Sequence, residues 1–159
     1  MKRHAPYVLL TGFLIVLDQL SKSMLVSKVA VFESVPVIRG FFSLTHVRNT
    51  GGIFGIFNAS AHRWIPTVLT ALTLVALSFV VAYFLRTPPS EKLLRTSLAI
   101  IMAGALGNLL DRVLRGYVVD FLDIHVRGFT WPTFNVADSC ISVGAALLIF
   151  TFFVRRKPS

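Results

Sequence analysis

Four long apolar runs divide this chain: Tyr7–Val26, Trp64–Leu85, Leu93–Leu114 and Val136–Val154. A helix needs about 20 largely apolar residues to cross the hydrocarbon of a bilayer, so each run predicts a transmembrane helix. The connections between them differ in character. Residues 27–63 are too many for a simple turn, and Val35–Val47 is rich in β-branched and aromatic residues punctuated by Pro36 and Gly40, which predicts short strands. Asn49–Phe57 follows, with Gly51, Gly52 and Gly55 allowing tight turns beside Ile53, Phe54, Ile56 and Phe57, the pattern of a flap or a short interfacial helix. The connection at 86–92 reads as a plain turn: Pro88 and Pro89 stop the second helix, and Ser90 is a candidate cap for the third. Residues 115–135 leave the third helix, turn and re-enter at the fourth. The pattern therefore predicts a membrane all-α protein, a bundle of four transmembrane helices with a small extracytoplasmic β-platform and an interfacial flap segment, forming one domain over 1–159.

Composition agrees and excludes a soluble domain, since 55% of the residues are apolar and 14% charged, with a mean hydropathy of +0.74. Met1-Lys2-Arg3-His4 before an apolar run resembles a secretory signal, but no small-x-small cleavage site follows, and the segment reads as a retained first helix. Of the sixteen Lys and Arg residues, eight lie at the start, around the short second connection and at the end: Lys2, Arg3, Arg86, Lys92, Arg95, Arg155, Arg156 and Lys157. Basic residues near helix ends mark the cytoplasmic side, so both termini are expected there, with 27–63 and 115–135 outside. This bias explains the net charge of +9 and points to anionic lipid headgroups as partners, with no role for nucleic acid. One cysteine, Cys140, excludes an internal disulfide. Four scattered histidines, His4, His46, His62 and His125, offer no metal-ligand spacing, so neither a metal nor a cofactor is expected.

Against that apolar background the charged residues stand out. Asp120 and Asp138 lie at the edges of the last two apolar segments, where a carboxylate is costly to ionise and marks a functional site by default. Asp18 and Lys22 are four apart, on one face of the first helix, and can pair across a turn. Gly104, Asn108, Asp111 and Arg112 form a second polar stripe at spacings of three and four on the third helix. Arg112 is placed to brace a carboxylate or a carbonyl, and Asp111 to pair with Arg112 or with the first helix. Gly104 and Gly107 let a neighbouring helix approach closely. Asn135 stands where an N-cap is expected and Asp138 three residues later, so Asp138 either completes a helix start or does chemistry. Asp123 competes for the second role, but its loop context favours a solvated side chain. Two carboxylates facing each other across a water must share a proton, and such a pair activates water with no metal.

Asp18-Gln19-x-x-Lys22, Asn49-x-Gly51-x-x-Phe54, Gly104-x-x-Gly107-Asn108-x-x-Asp111-Arg112, Val118-Val119-Asp120-Phe121 and Phe134-Asn135-x-Ala137-Asp138-Ser139 occur in order over nearly the whole chain. Together they resemble the lipoprotein signal peptidases, or signal peptidase II, of bacteria. The resemblance implies a monomeric aspartic endopeptidase of the cytoplasmic (inner) membrane with its active site near the extracytoplasmic face. It implies removal of the signal peptide from diacylglyceryl-modified prolipoproteins, just before the lipidated cysteine. It also implies Asp120 and Asp138 as catalytic residues, with Asp18, Lys22, Asn49, Gly51, Asn108, Arg112, Asn135 and Ala137 lining or supporting the site. Gly52-Ile53 departs from the small residues common there, which bears on flap packing and not on the two aspartates. Three rivals use the same residues: an ion or proton transporter, a serine–lysine protease with Lys22 as base and Ser139 as nucleophile, and an assembly factor whose polar stripes only hold helices together. Against the transporter, no polar ladder continues through Leu69–Leu85 or Ser97–Ala103.

Overall fold

A computed structural model describes residues 3–51, 64–126 and 128–155. Its helices are α1 (Ala5–Lys28), α2 (Ile65–Arg86), α3 (Lys92–Arg115) and α4 (Val136–Arg155). All are long and apolar enough to cross a membrane, reaching about 30–36 Å at 1.5 Å per residue. Their ends follow from local chemistry. Prolines sit in the first turns of α1 and α2, where no N–H is missed. Thr87 turns extended at the end of α2, just before Pro88 and Pro89, and α3 stops at Gly116 in the left-handed region, φ +79°. Side chains such as Leu9, Phe13, Leu20, Leu72, Phe79 and Phe153 are left exposed on the outside of the bundle, a distribution suited to lipid and not to water.

Helix α3 packs against the other three, and the small residues along it make this possible. A Cβ at Gly104 would strike the Ala137 carbonyl oxygen and lie 2.8 Å from Ile141 Cγ1, while one at Gly107 would lie 2.7 Å from Asp18 Oδ2. From α4, Gly144 approaches the α3 backbone near Ile101 in the same way. The packing role expected of these glycines is thus met at both α3 positions.

The strands β1 (Ser34–Ile38), β2 (Phe42–Asn49), β3 (Val118–Val126) and β4 (Phe129–Thr130) form one antiparallel sheet in the order β1-β2-β3-β4. Pro36 is accommodated because β1 is an edge strand. Half of this sheet departs from the sequence reading, which placed strands only in the first connection. Val118–Val126 continues directly from α3 and pairs with β2, Val47 opposite Asp120 and Asn49 opposite Val118. The partner supplies the reason: β2 alone would offer an open row of backbone donors and acceptors, and a segment rich in Val, Phe, Leu and Ile satisfies it. Val119 and Phe121 pack with Leu25 and Val29 at the end of α1, and the alternation of a strand then turns Asp120 to the opposite face. Buried His46 completes the joint, its Nδ1 donating to the Val29 carbonyl at 2.9 Å.

Asp123 also departs from expectation. It is a buried member of β3 and not a solvated loop residue, accepting from Thr45 Oγ1 at 2.9 Å with His125 Nε2 3.2 Å away. The flap proper, with Gly52, Ile53 and Phe54, lies outside the described residues.

Candidate active site

Where β3 meets the start of α4, the side chain and backbone of Asn135 join the two aspartates. Asn135 precedes α4 and its Oδ1 accepts from the Asp138 N–H at 2.8 Å, while Asp138 Oδ2 accepts from the Asn135 N–H at 3.2 Å. This reciprocal pair is a capping box, so the helix-start role weighed for Asp138 is real. It uses only one of the carboxylate oxygens. Asp138 Oδ1 accepts from Asn108 Nδ2 on α3 at 2.7 Å. Asn135 also reaches the other aspartate, its Nδ2 donating to Asp120 Oδ1 at 2.7 Å, and Asn49 Nδ2 on β2 donates to Asp120 Oδ2 at 2.8 Å. Asn49 in turn accepts the Gly51 N–H on Oδ1 at 2.8 Å. Gly51 has φ +113°, and a Cβ there would lie 3.1 Å from Ile65 Cγ2 and closer still to Leu69, so the turn requires glycine.

Asp120 is buried, and that burial, assisted by the Asp138 charge and opposed by the hydrogen bonds from Asn49 and Asn135, raises its pKa from 3.8 to about 6. A carboxyl in that range can hold or release a proton near neutral pH. Arg112 lies half-buried with Nη1 donating to Thr73 Oγ1 on α2 at 3.2 Å. Together with Asn108 and Asp138 it lines a cavity of about 310 Å³ between α2, α3 and α4, whose wall also includes Leu77, Val80 and Ile101. A second cavity of about 570 Å³ opens on the other side of Asp138, walled by Val126, Phe129, Trp131, Phe134 and Val143. Asp138 therefore borders two apolar spaces.

Behind the aspartates lies a charged cluster whose centre is closed to solvent. Lys22 Nζ is 2.8 Å from Asp18 Oδ2, 2.9 Å from Asp111 Oδ2 and 3.1 Å from Asn108 Oδ1, with Lys22, Asp18 and Asp111 at most 1% exposed. Asp18 Oδ1 accepts the Ala137 N–H at 2.9 Å, which ties α1 to the first turn of α4. Asp111 accepts the Val119 N–H at 3.1 Å and is paired with Arg115, and Gln19 Nε2 donates to Asp18 Oδ2, to the Gly107 carbonyl and to Asp111. Of the two partners open to Asp111, the first helix is the one it takes. Gln19 and Arg115 are as much part of the cluster as Asp18, Lys22 and Asp111, which the sequence brought forward. A charge count could have found Arg115, because one lysine against two buried aspartates leaves a negative charge unbalanced. Lys22 lies among these carboxylates and Ser139 Oγ donates to the Asn135 carbonyl at 3.0 Å, so the serine–lysine pair is not assembled. Among the described residues no group of three His, Cys, Asp or Glu is placed to hold a metal.

Comparison with known proteins places this arrangement. The chain is 35% identical over 151 residues to the lipoprotein signal peptidase of Syntrophus aciditrophicus, spanning 95% of this chain and 94% of that protein. It is 44% identical over 146 residues to that of Paraburkholderia phymatum, spanning 92% and 86%. A solved bacterial membrane enzyme superposes with a TM-score of 0.84 at 30% identity, over 98% of this chain and 93% of that one. None of these relatives supports a transporter. The family model for signal peptidase (SPase) II matches residues 10–154, and this chain belongs to that family.

Proposed function

We propose that this protein removes signal peptides from diacylglyceryl-modified prolipoproteins as an aspartic endopeptidase, with Asp120 and Asp138 as its catalytic pair. The observation that carries the reading is the double role of Asn135, which donates to one carboxylate from its side chain and to the other from its backbone. One residue thereby holds both acids in register beside two apolar cavities. Asp120, with its pKa near 6, carries the shared proton. Asp138 accepts a proton from a water molecule, whose oxygen attacks the carbonyl carbon before the lipidated cysteine. The Asp120 proton passes to the carbonyl oxygen. When the tetrahedral species collapses, the C–N bond breaks, the cysteine nitrogen leaves as an amine with the proton gathered by Asp138, and one of the two hydroxyls returns its proton to Asp120 as the new carboxyl group forms. No metal enters the cycle. Arg112 and Asn108 line the approach for the peptide backbone.

The membrane arrangement belongs to the same reading. Arg86, Lys92 and Arg95 stand at one end of the bundle and the sheet at the other, which supports cytoplasmic termini, an extracytoplasmic platform and an active site at the outer interface of the bacterial inner membrane. A monomer contains every residue of the proposed site.

The test uses purified protein in detergent and a diacylglyceryl precursor. Wild type is expected to cut just before the lipidated cysteine. Asp120→Asn and Asp138→Asn should each lose roughly a thousandfold or more in kcat while remaining folded, the scale on which a general acid or base and its partner contribute. Ser139→Ala should keep most of its activity. Near-normal turnover in either aspartate variant would remove the pair from the chemistry.

A further inference from the structure

A fully buried lysine that touches neither catalytic carboxylate is left without a task by the mechanism above. Its three protons are all committed, to Asp18, Asp111 and Asn108 Oδ1, and an ammonium has no acceptor to offer. The direction of the next hydrogen bonds then follows. With Oδ1 of Asn108 drawn to Lys22, its Nδ2 must point the other way, to Asp138 Oδ1 at 2.7 Å. Asn108 Oδ1 also accepts from Asn135 Nδ2 at 3.2 Å, which sets that second amide with its nitrogen toward Asp120 Oδ1 and its oxygen toward the Asp138 N–H. Two side-chain amides, each of which could fit its space in either orientation, are thereby held in one.

We infer that Lys22 is a positioning residue for catalysis: through Asn108 and Asn135 its charge ensures that both aspartates are met by N–H donors and never by a carbonyl oxygen. This rests on the catalytic pairing of Asp120 and Asp138. An inverted Asn108 would set its carbonyl against Asp138 Oδ1, a contact relieved only when Asp138 itself binds the proton, and a protonated Asp138 cannot accept one from water. The remaining charged groups facing the relay are Asp18 on α1, Asp111, Arg112 and Arg115 on α3, and Asp120 on β3. Asp18, Asp111, Lys22 and Arg115 balance among themselves, so the orienting charge acts within a neutral cluster.

The experiment measures kcat and KM per mole of folded enzyme, on a diacylglyceryl precursor in detergent, for Lys22→Met, Asn108→Ala and the double variant. Each single change is expected to lower kcat by about 100-fold, the scale of one misplaced proton-transfer group, with KM within about twofold for Lys22→Met, whose side chain lines neither cavity. Because one residue acts through the other, the double variant should be no slower than the worse single. Losses that multiply, or an unchanged kcat per folded Lys22→Met molecule, would overturn the inference and reduce Lys22 to a support of the fold. Should Lys22→Met not fold with Asp18 unpaired, Asp18→Asn/Lys22→Met removes one charge of each sign. It should lose the same factor relative to Asp18→Asn alone, and equal kcat in those two overturns the inference. Full turnover by the Asp138→Asn enzyme would instead strike the catalytic pair itself, whatever Lys22 does.

Discussion

At the scale of single residues, the site is a set of carboxylates given different tasks by their surroundings. Asp18 and Asp111 lie against Lys22, Asp138 starts a helix, and Asp120 sits on a strand among neutral amides. The last arrangement lifts the Asp120 carboxyl to about 6 from 3.8. A group that binds its proton more tightly folded than unfolded stabilises the fold fully below the lower value, and that stabilisation is lost as pH rises through the higher one. The difference amounts to roughly 3 kcal/mol at most. Asp120→Asn stays neutral throughout, so the fall in Tm of the detergent-solubilised protein between pH 4 and about 7 should be smaller in the variant than in wild type. Parallel Tm curves over that range would show that Asp120 does not titrate there.

At the scale of elements, the site depends on how closely α3 and α4 approach. The Asn108–Asp138 hydrogen bond of 2.7 Å spans that seam, and Gly104 lies directly against the Ala137 and Ile141 backbone one turn below. Gly104→Val is expected to force the helices apart at a cost of about 1–3 kcal/mol, lowering both Tm and kcat. Gly12 has nothing within 4 Å of its would-be Cβ, so Gly12→Ala serves as the control and should change neither. A Gly104→Val enzyme with unaltered Tm and rate would show that the seam has more slack than these distances allow. The sheet makes a comparable demand. Asp120 reaches Asn49 only because β3 pairs with β2 in the register that sets it opposite Val47, and a slip of one residue would exchange Asp120 with Val119 or Phe121.

At the scale of the whole molecule, an apolar bundle carries its polar groups toward the end that bears the sheet, and the orientation proposed for it can be measured. In a Cys140→Ser background, a cysteine at Val37 on β1 should react with a membrane-impermeant maleimide in intact spheroplasts, because β1 is an exposed edge strand. One at Ser90, in the turn between α2 and α3, should react only after lysis. The reverse pattern would invert the topology and move the two aspartates to the cytoplasmic face.

The sequence by itself determined the four spans, because hydrocarbon thickness sets a length that an apolar run either meets or does not. It also brought forward the polar residues that the structure gathers in one place, since Asp18, Lys22, Asn108, Asp120, Asn135 and Asp138 are hard to place in such a composition without a purpose. The strands of the first connection and the N-cap at Asn135 were legible for the same kind of reason: each is a local pattern. Tertiary structure alone decided the rest. β3 needed the open edge of β2, and Asp123 became buried because that pairing covered it. Asp111 turned to Lys22 on a distant helix and away from its neighbour Arg112, which faces Thr73. The direction of the Asn108 and Asn135 amides was set by a lysine 86 residues from the first of them. These outcomes depend on which groups meet across elements, and hydrogen-bond direction is a property of the assembled network that no spacing along the chain encodes.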